Sequence, residues 1–221
     1  TSNVTYVLSG DDATSFEVVN GQLKLKDGVS GDFETKSSYS VTITATDDAS
    51  HEASLTYTLN VTDVNETPTA IALSATAIDE NATGTVVGTL STSDVDAGDT
   101  HTYELSGTDA ASFEVVNGQL KLIDSVTANY ETQSSYSVTV TTTDSGSLTT
   151  TEDFTVNVNN LNDAPTLVNA IADQNVAEDS ALSFTVPADA FNDEDGDTLT
   201  YTATLSDGSA LPSWLSFDAA T

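Results

Sequence analysis

Groups of acidic and amide side chains, set apart by runs of Val, Thr and Tyr, are the residues of this 221-residue chain best suited to chemistry. They read Asp79-Glu80-Asn81, Asp94-Val95-Asp96, Asn129-Tyr130-Glu131, Asp144 and Asn160-Leu161-Asn162-Asp163-Ala164-Pro165. Earlier counterparts are Asp32-Phe33-Glu34, Asp47 and Asp63-Val64-Asn65-Glu66-Thr67-Pro68. All the donors are oxygens, which suit a hard cation: Ca2+ takes about six to eight, from carboxylates, amides and backbone carbonyls. No single group holds that many, so several must converge on each ion. Catalysis is a poor fit. The chain has no Cys, and its two imidazoles, His51 and His101, have Leu148 and Val4 at the corresponding places 97 residues away, so no nucleophile and base are paired. Carboxylate pairs for glycoside hydrolysis recur with the repeat, which an active site rarely does. The expectation is a chain that is not an enzyme.

The elements that must hold these groups in place are themselves repeated. Residues 4–68 overlay 101–165 at a constant offset of 97 with no gap, and 37 of the 65 pairs are identical. A fixed period marks a tandem array. It divides the chain into 1–68, a partial repeat expected to lack its N-terminal strands; 69–165, a complete repeat; and 166–221, a partial unit expected to lack its C-terminal strands. The chain therefore reads as a segment of a longer protein. Within the complete repeat, 70–73, 84–90, 102–105, 113–116, 119–122, 136–141 and 154–158 largely alternate and are rich in β-branched and aromatic residues, the pattern of half-buried strands. With no helical period in view, seven such strands predict an all-β fold: tandem seven-stranded Greek-key, immunoglobulin-like β-sandwiches in an elongated array. Asn20-Gly21 and Asn117-Gly118 predict two-residue hairpin turns, because that pair best tolerates positive φ at both positions. The acidic groups then fall at the strand ends.

Composition limits the partners. Thirty-five Asp and Glu face four Lys, for a formal net charge of -31, which repels nucleic acid and anionic membrane alike. Without Cys, neither disulfides nor thiolate metal sites can stabilise the fold. No apolar run approaches the ~20 residues of a membrane span, so direct membrane insertion is not expected.

In order and spacing the acidic groups resemble the cadherin repeat, whose linker reads D-x-N-D-x-P and whose calcium ligands come from x-E-x, D-x-D, D-x-E and a late Asp. The likeness covers 69–165 and the part of the preceding repeat that is present. It implies that the junction between the first and second repeats binds Ca2+ through Asp32, Glu34, Asn65 and Glu66 with Asp94, Asp96 and Asp144. The next junction would use Glu80, Glu131, Asn162 and Asp163 with Asp193 and Asp195. Glu66 stands where the family's linker has Asp, and Asn129 where D-x-E begins with Asp, which lowers the charge at the second junction. Asp99 lies outside the D-x-D pair and is expected to matter far less than Asp96. The last segment is different: Asn192 to Tyr201 followed by Leu211 to Phe217 resembles the dystroglycan-type cadherin-like domain of bacterial surface proteins. Asp193, Asp195 and Asp197 have EF-hand spacing, but Thr198 and Thr204 stand where that loop needs Gly and Glu, which rules it out. Trp214, inside Leu-Pro-Ser-Trp-Leu-Ser-Phe, is expected in a core rather than as a sugar-stacking platform.

Carboxylates gathered without an ion repel one another, whereas bound Ca2+ ties linker and flanking repeats together. The resemblance thus implies a calcium-stiffened, extracellular segment of a large bacterial cell-surface adhesin, an extender or a module for cell adhesion and biofilm formation. Its partners would be calcium ions and neighbouring repeats. The alternative is a module that itself binds polysaccharide or another copy of the adhesin, or an accessory segment of a secreted enzyme. The aromatics of 69–165 mostly alternate as core residues do, which favours the spacer.

Overall fold

The structure, a computed structural model, describes residues 4–219. The alternating segments become strands: β1 (Thr5–Ser9), β2 (Phe16–Val19), β3 (Gln22–Leu25), β4 (Ser38–Thr46) and β5 (Glu52–Asn60) in the first repeat. The second holds β6 (Ala70–Leu73), β7 (Ala77–Asp79), β8 (Val86–Ser93), β9 (Thr102–Ser106), β10 (Phe113–Val116), β11 (Gln119–Leu122), β12 (Ser135–Thr143) and β13 (Thr149–Asn159). Among the described residues only β14 (Thr166–Leu167) and β15 (Phe191–Asn192) follow. Among the described residues helical geometry is limited to two 3-10 turns, Ala13–Ser15 and Ala110–Ser112, and no helix is long and apolar enough to cross a membrane. The fold is all-β.

In the second repeat the sheets β10-β11-β8-β6 and β7-β13-β12-β9 enclose one core. Ile71, Val87, Leu90, Leu120 and Leu122 from the first sheet meet Ile78, Tyr136, Val138, Val140, Val156 and Val158 from the second. The strands present alternate residues inward, as the pleat requires, except in β8, where a register shift against β11 brings Val87 and Leu90, three residues apart, into the core. Phe113 and Tyr136 pack edge to face with centroids 5.5 Å apart, the arrangement aromatic quadrupoles favour. The predicted turns form: Asn20, Gly21, Asn117 and Gly118 have φ of 51°, 77°, 51° and 76°, and β2–β3 and β10–β11 pair across them. One strand was not expected. The first strand breaks after Leu73, and its second half, β7, runs parallel to β13 in the opposite sheet. Three residues are too few for alternation to reveal, yet Ile78 is core.

Outside 69–165 the packing is thinner. In the first repeat β1-β4-β5 and β2-β3 form separate sheets. Phe16, Leu23, Leu25, Ile43, Tyr57 and Leu59 line an open cavity on the face whose counterpart β6 and β8 cover in the second repeat. Beyond Pro165, among the described residues, only the short β14–β15 pair forms. The expectation of a buried Trp214 is therefore corrected: with no sheet facing it, the indole is 82% exposed.

Candidate metal centres between the repeats

β5 ends at Asn60 and β6 begins at Ala70, so one short linker carries the chain from the first repeat to the second. Hydrogen bonds fasten it to the second repeat. The Glu66 N–H donates to Asp96 Oδ2 at 2.8 Å, Asn65 Nδ2 donates to Asp144 Oδ2 at 2.9 Å, and the Thr150 hydroxyl donates to the Pro68 carbonyl. Gly146, beside Asp144 in the β12–β13 turn, lets Asn65 approach: a Cβ there would collide with its carboxamide. Around this linker Glu34, Asp63, Glu66 and Asp96 each place one carboxylate oxygen within 4.8 Å of the others. Asp32 stands alongside. It accepts the Thr35 N–H at 2.9 Å and lines a cavity with Glu34, Glu66 and Val95.

A second group at the same junction joins Asp94, Asp99 and Asp144, again with one oxygen each within 4.8 Å. Asp144 is buried and oriented by the Leu148 N–H at 2.8 Å. His101 Nε2 lies 3.0 Å from Asp94 Oδ2, and Ser145 donates to Asp99 Oδ1 at 2.8 Å. Asp99 Oδ2 is buried without a hydrogen-bond partner. Asp99, outside the D-x-D pair and expected to matter less than Asp96, is turned by the β8–β9 loop back toward Asp94.

At the next junction Glu80, Glu131 and Asp163 form the group. Glu80, directly after β7, is 2% exposed. Its two oxygens accept the Tyr130 N–H at 2.7 Å and the Leu161 N–H at 2.6 Å, so it ties two loops together. Glu131 Oε1 accepts from Asn160 Nδ2 at 3.1 Å. Asn81 donates to Asp163 Oδ1 at 2.9 Å, and the Asp163 N–H donates to Asp195 Oδ2 at 2.6 Å. Asp163 Oδ2 is buried with no partner. Asn162 bonds the Asp163 carbonyl at 3.0 Å. Asp193 accepts the Asp197 N–H of its own loop at 3.1 Å and lies outside the three-acid group, as do Asp195 and, at the first junction, Asp32.

Sequence reasoning did not single out Asp63, Asp99 or His101 as site residues. Asp63 opens the linker where the second linker has Asn160, and Asp99 and His101 fall in an Asp94–His101 stretch whose one bulky apolar residue is Val95. That polarity, in a loop already holding Asp94 and Asp96, was the available signal.

Crowding of like charge shows in the protonation of these groups. Burial, then the charges of Glu34, Asp96, Asp63 and Asp32, raise the Glu66 carboxyl above its ordinary range. Burial likewise raises Glu131, with Glu80 and Asp195 adding to it, and raises Asp163, with Glu80, Asp195 and Glu194 adding to it against the Asn81 hydrogen bond. Asp94 moves the other way, held low chiefly by the bond from His101, and Asp32 is held low by the Thr35 N–H and hydroxyl. Converged carboxylates, amides and carbonyls, two of the carboxylates with an orphaned buried oxygen, have the donor chemistry of a hard divalent cation.

Solved protocadherin structures share this architecture. A structure titled PcdhgB3 EC1-4 is 25% identical, with a TM-score of 0.60 over 70% of this chain and 40% of that one. Protocadherin gammaB7 EC3-6, described as a cis-dimer, is 26% identical, with a TM-score of 0.58 over 75% of this chain and 42% of that one. Human Protocadherin-24 EC1-2, at 24% identity and a TM-score of 0.54 over 71% of this chain and 82% of that one, shares the fold. The chain thus spans well under half the length of the first two. At the other end, residues 164–221 match the family model described as Putative Ig domain (He_PIG). The chain consists of cadherin-like tandem β-sandwich repeats followed by a segment of Ig type, and its acidic clusters between repeats are consistent with cadherin-type calcium sites.

Proposed function

We propose that this chain is a non-catalytic, extracellular array segment whose junctions bind Ca2+ and become rigid on doing so. One observation carries the reading: linker, preceding repeat and following repeat each contribute carboxylates to one cluster, as Glu34, Asp63, Glu66 and Asp96 do. Without an ion these charges repel at short range and the linker hinges; an ion bridging them removes the repulsion and joins the two repeats. The ligand set is the thirteen residues from Asp32 to Asp195 named from the sequence, with Asp63 and Asp99 added at the first junction. Repeat units at 1–68, 69–165 and 166–221, the last of dystroglycan-type cadherin-like kind, fit the offset of 97 and the position of the Ig-type match. The near-identity of adjacent repeats, the Ser- and Thr-rich surface and the scarcity of basic residues support the extender region of a bacterial surface adhesin, in which ligand recognition lies in another part of the protein.

Thermal melting of the chain in calcium and in chelator tests this. An ion bound only by the folded junction adds about 2.7 kcal/mol per site at a hundredfold excess over Kd, so calcium raises Tm by several degrees. Coincident melts would refute the calcium reading.

A further inference from the structure

A layer of hydroxyls separates the apolar core of the second repeat from its carboxylates at the first junction. Along β8 and just past its end, Leu90, Thr92 and Asp94 are shielded while Ser91, Ser93 and Val95 between them are exposed. On β12, in the opposite sheet, Val140, Thr142 and then Asp144 are buried. Both series pass from an apolar side chain through a hydroxyl to a carboxylate in steps of two, the period that keeps side chains on one face. The two hydroxyls meet: Thr92 Oγ1 lies 3.0 Å from Thr142 Oγ1 and 2.9 Å from the phenol oxygen of Tyr103. Tyr103 pairs with Thr142 on β9, two residues after His101, whose Nε2 lies 3.0 Å from Asp94 Oδ2. A chain of three hydroxyls thus joins the two sheets beneath the group of Asp94, Asp99 and Asp144.

The fold does not require this chain. The place of Thr142 is held in the first repeat, 97 residues earlier, by Ala45, and burying a hydroxyl costs free energy that only its hydrogen bonds offset. What the bonds add is a fixed distance, because they weaken steeply away from their preferred geometry, whereas apolar contact has no direction. Asp94 and Asp144 extend from opposite sheets, so the separation of the sheets at this end decides how far apart the two acids stand.

We propose that Thr92 and Thr142 are positioning residues for calcium at the first junction, setting the distance between Asp94 and Asp144 before an ion arrives. This rests on the calcium reading of the junctions and adds to it a cross-link that touches no ion. Groups behind a metal's ligands contribute to affinity by holding those ligands in place, and here the hydroxyl pair holds one ligand from each sheet.

Calcium titration by calorimetry, with thermal melting in chelator, compares the 221-residue chain with Thr92→Val, Thr142→Val and Thr142→Ser. Valine keeps the shape of threonine without its hydroxyl, and serine keeps the hydroxyl. We expect each valine variant to weaken roughly tenfold the class of sites that Asp94→Asn removes, and Thr142→Ser to stay within about threefold of the parent. Val138→Ala, in the fully buried middle of β12, should lower Tm in chelator without weakening that class. Unchanged affinity in either valine variant, or a loss in Thr142→Ser or Val138→Ala as large as theirs, would overturn the positioning role while leaving calcium binding in place. Absence of calcium binding in the parent chain would instead overturn the reading on which the proposal rests, and the proposal with it.

Discussion

Asp96 and Asp99 lie three residues apart in one loop yet enter different clusters, Asp96 with Glu34, Asp63 and Glu66, Asp99 with Asp94 and Asp144. Both should therefore matter to calcium. We expect Asp96→Ala and Asp99→Ala each to lower affinity at the first junction roughly tenfold or more, while Asp124→Ala, which removes a partner of Lys121 and no cluster member, leaves it unchanged; calcium titration of the three variants checks this. Protonation gives a second test at this scale. Glu66, Glu131 and Asp163 are raised in the folded chain, so their protonated forms favour the assembled junction. That contribution is fully present below the ordinary carboxylate pKa of about 4 and is lost as pH rises through the raised values. Asp94 and Asp32 are lowered, and their contribution is lost only as pH falls through values below the ordinary range. As pH falls from neutrality the raised set is thus the first of these groups to titrate. In chelator, acidification from neutrality through the raised values should stiffen the junctions, while calcium affinity falls because protons compete for the same oxygens. Tm and calcium titrations at neutral and at acidic pH measure the two effects, and a calcium affinity independent of pH would count against these carboxylates as ligands.

At the scale of elements, much of the site was legible because its ligands lie next to strong strand signals. Tyr136-Ser-Val-Thr-Val-Thr141 could only be a half-buried strand, so the acid just beyond it, Asp144, had to lie at a sheet end. Asn117-Gly118 required a tight hairpin, which sets the register of β10 against β11. What escaped notice depended on contacts distant in sequence. β7 is recognised by its pairing with β13, some eighty residues on, and Asp99 by the path of a loop rather than by any motif. Trp214 was misjudged because an apolar neighbourhood in sequence does not ensure a facing sheet. Gly146 was equally silent: its importance lies in the Asn65 side chain that packs on it. Gly146→Ala should displace Asn65 from Asp144, weakening calcium at the first junction with a small effect on the melting of the second repeat, whose core it does not enter. Calcium titration and thermal melting of that one variant separate the two effects, and unchanged calcium affinity would show that the linker does not need this contact.

For the whole molecule, the consequence of repetition under the proposed function is that each junction would be a separate hinge controlled by the same ion. The repeats themselves owe little to calcium: the core of the second repeat, from Ile71 to Val158, is apolar and lies between its own two sheets. The ion should therefore change the relation between repeats far more than their interiors. On the calcium reading proposed above, flexibility would lie in the linkers, and ions bound at a few places would convert a chain of formal charge -31 from a jointed string into a rod. Small-angle X-ray scattering of the 221-residue chain, recorded in calcium and in chelator at neutral pH, tests that claim most directly. The account predicts a rod-like profile with a larger radius of gyration in calcium, and a more compact mean with a broader distribution of dimensions in chelator. Superimposable profiles would contradict it.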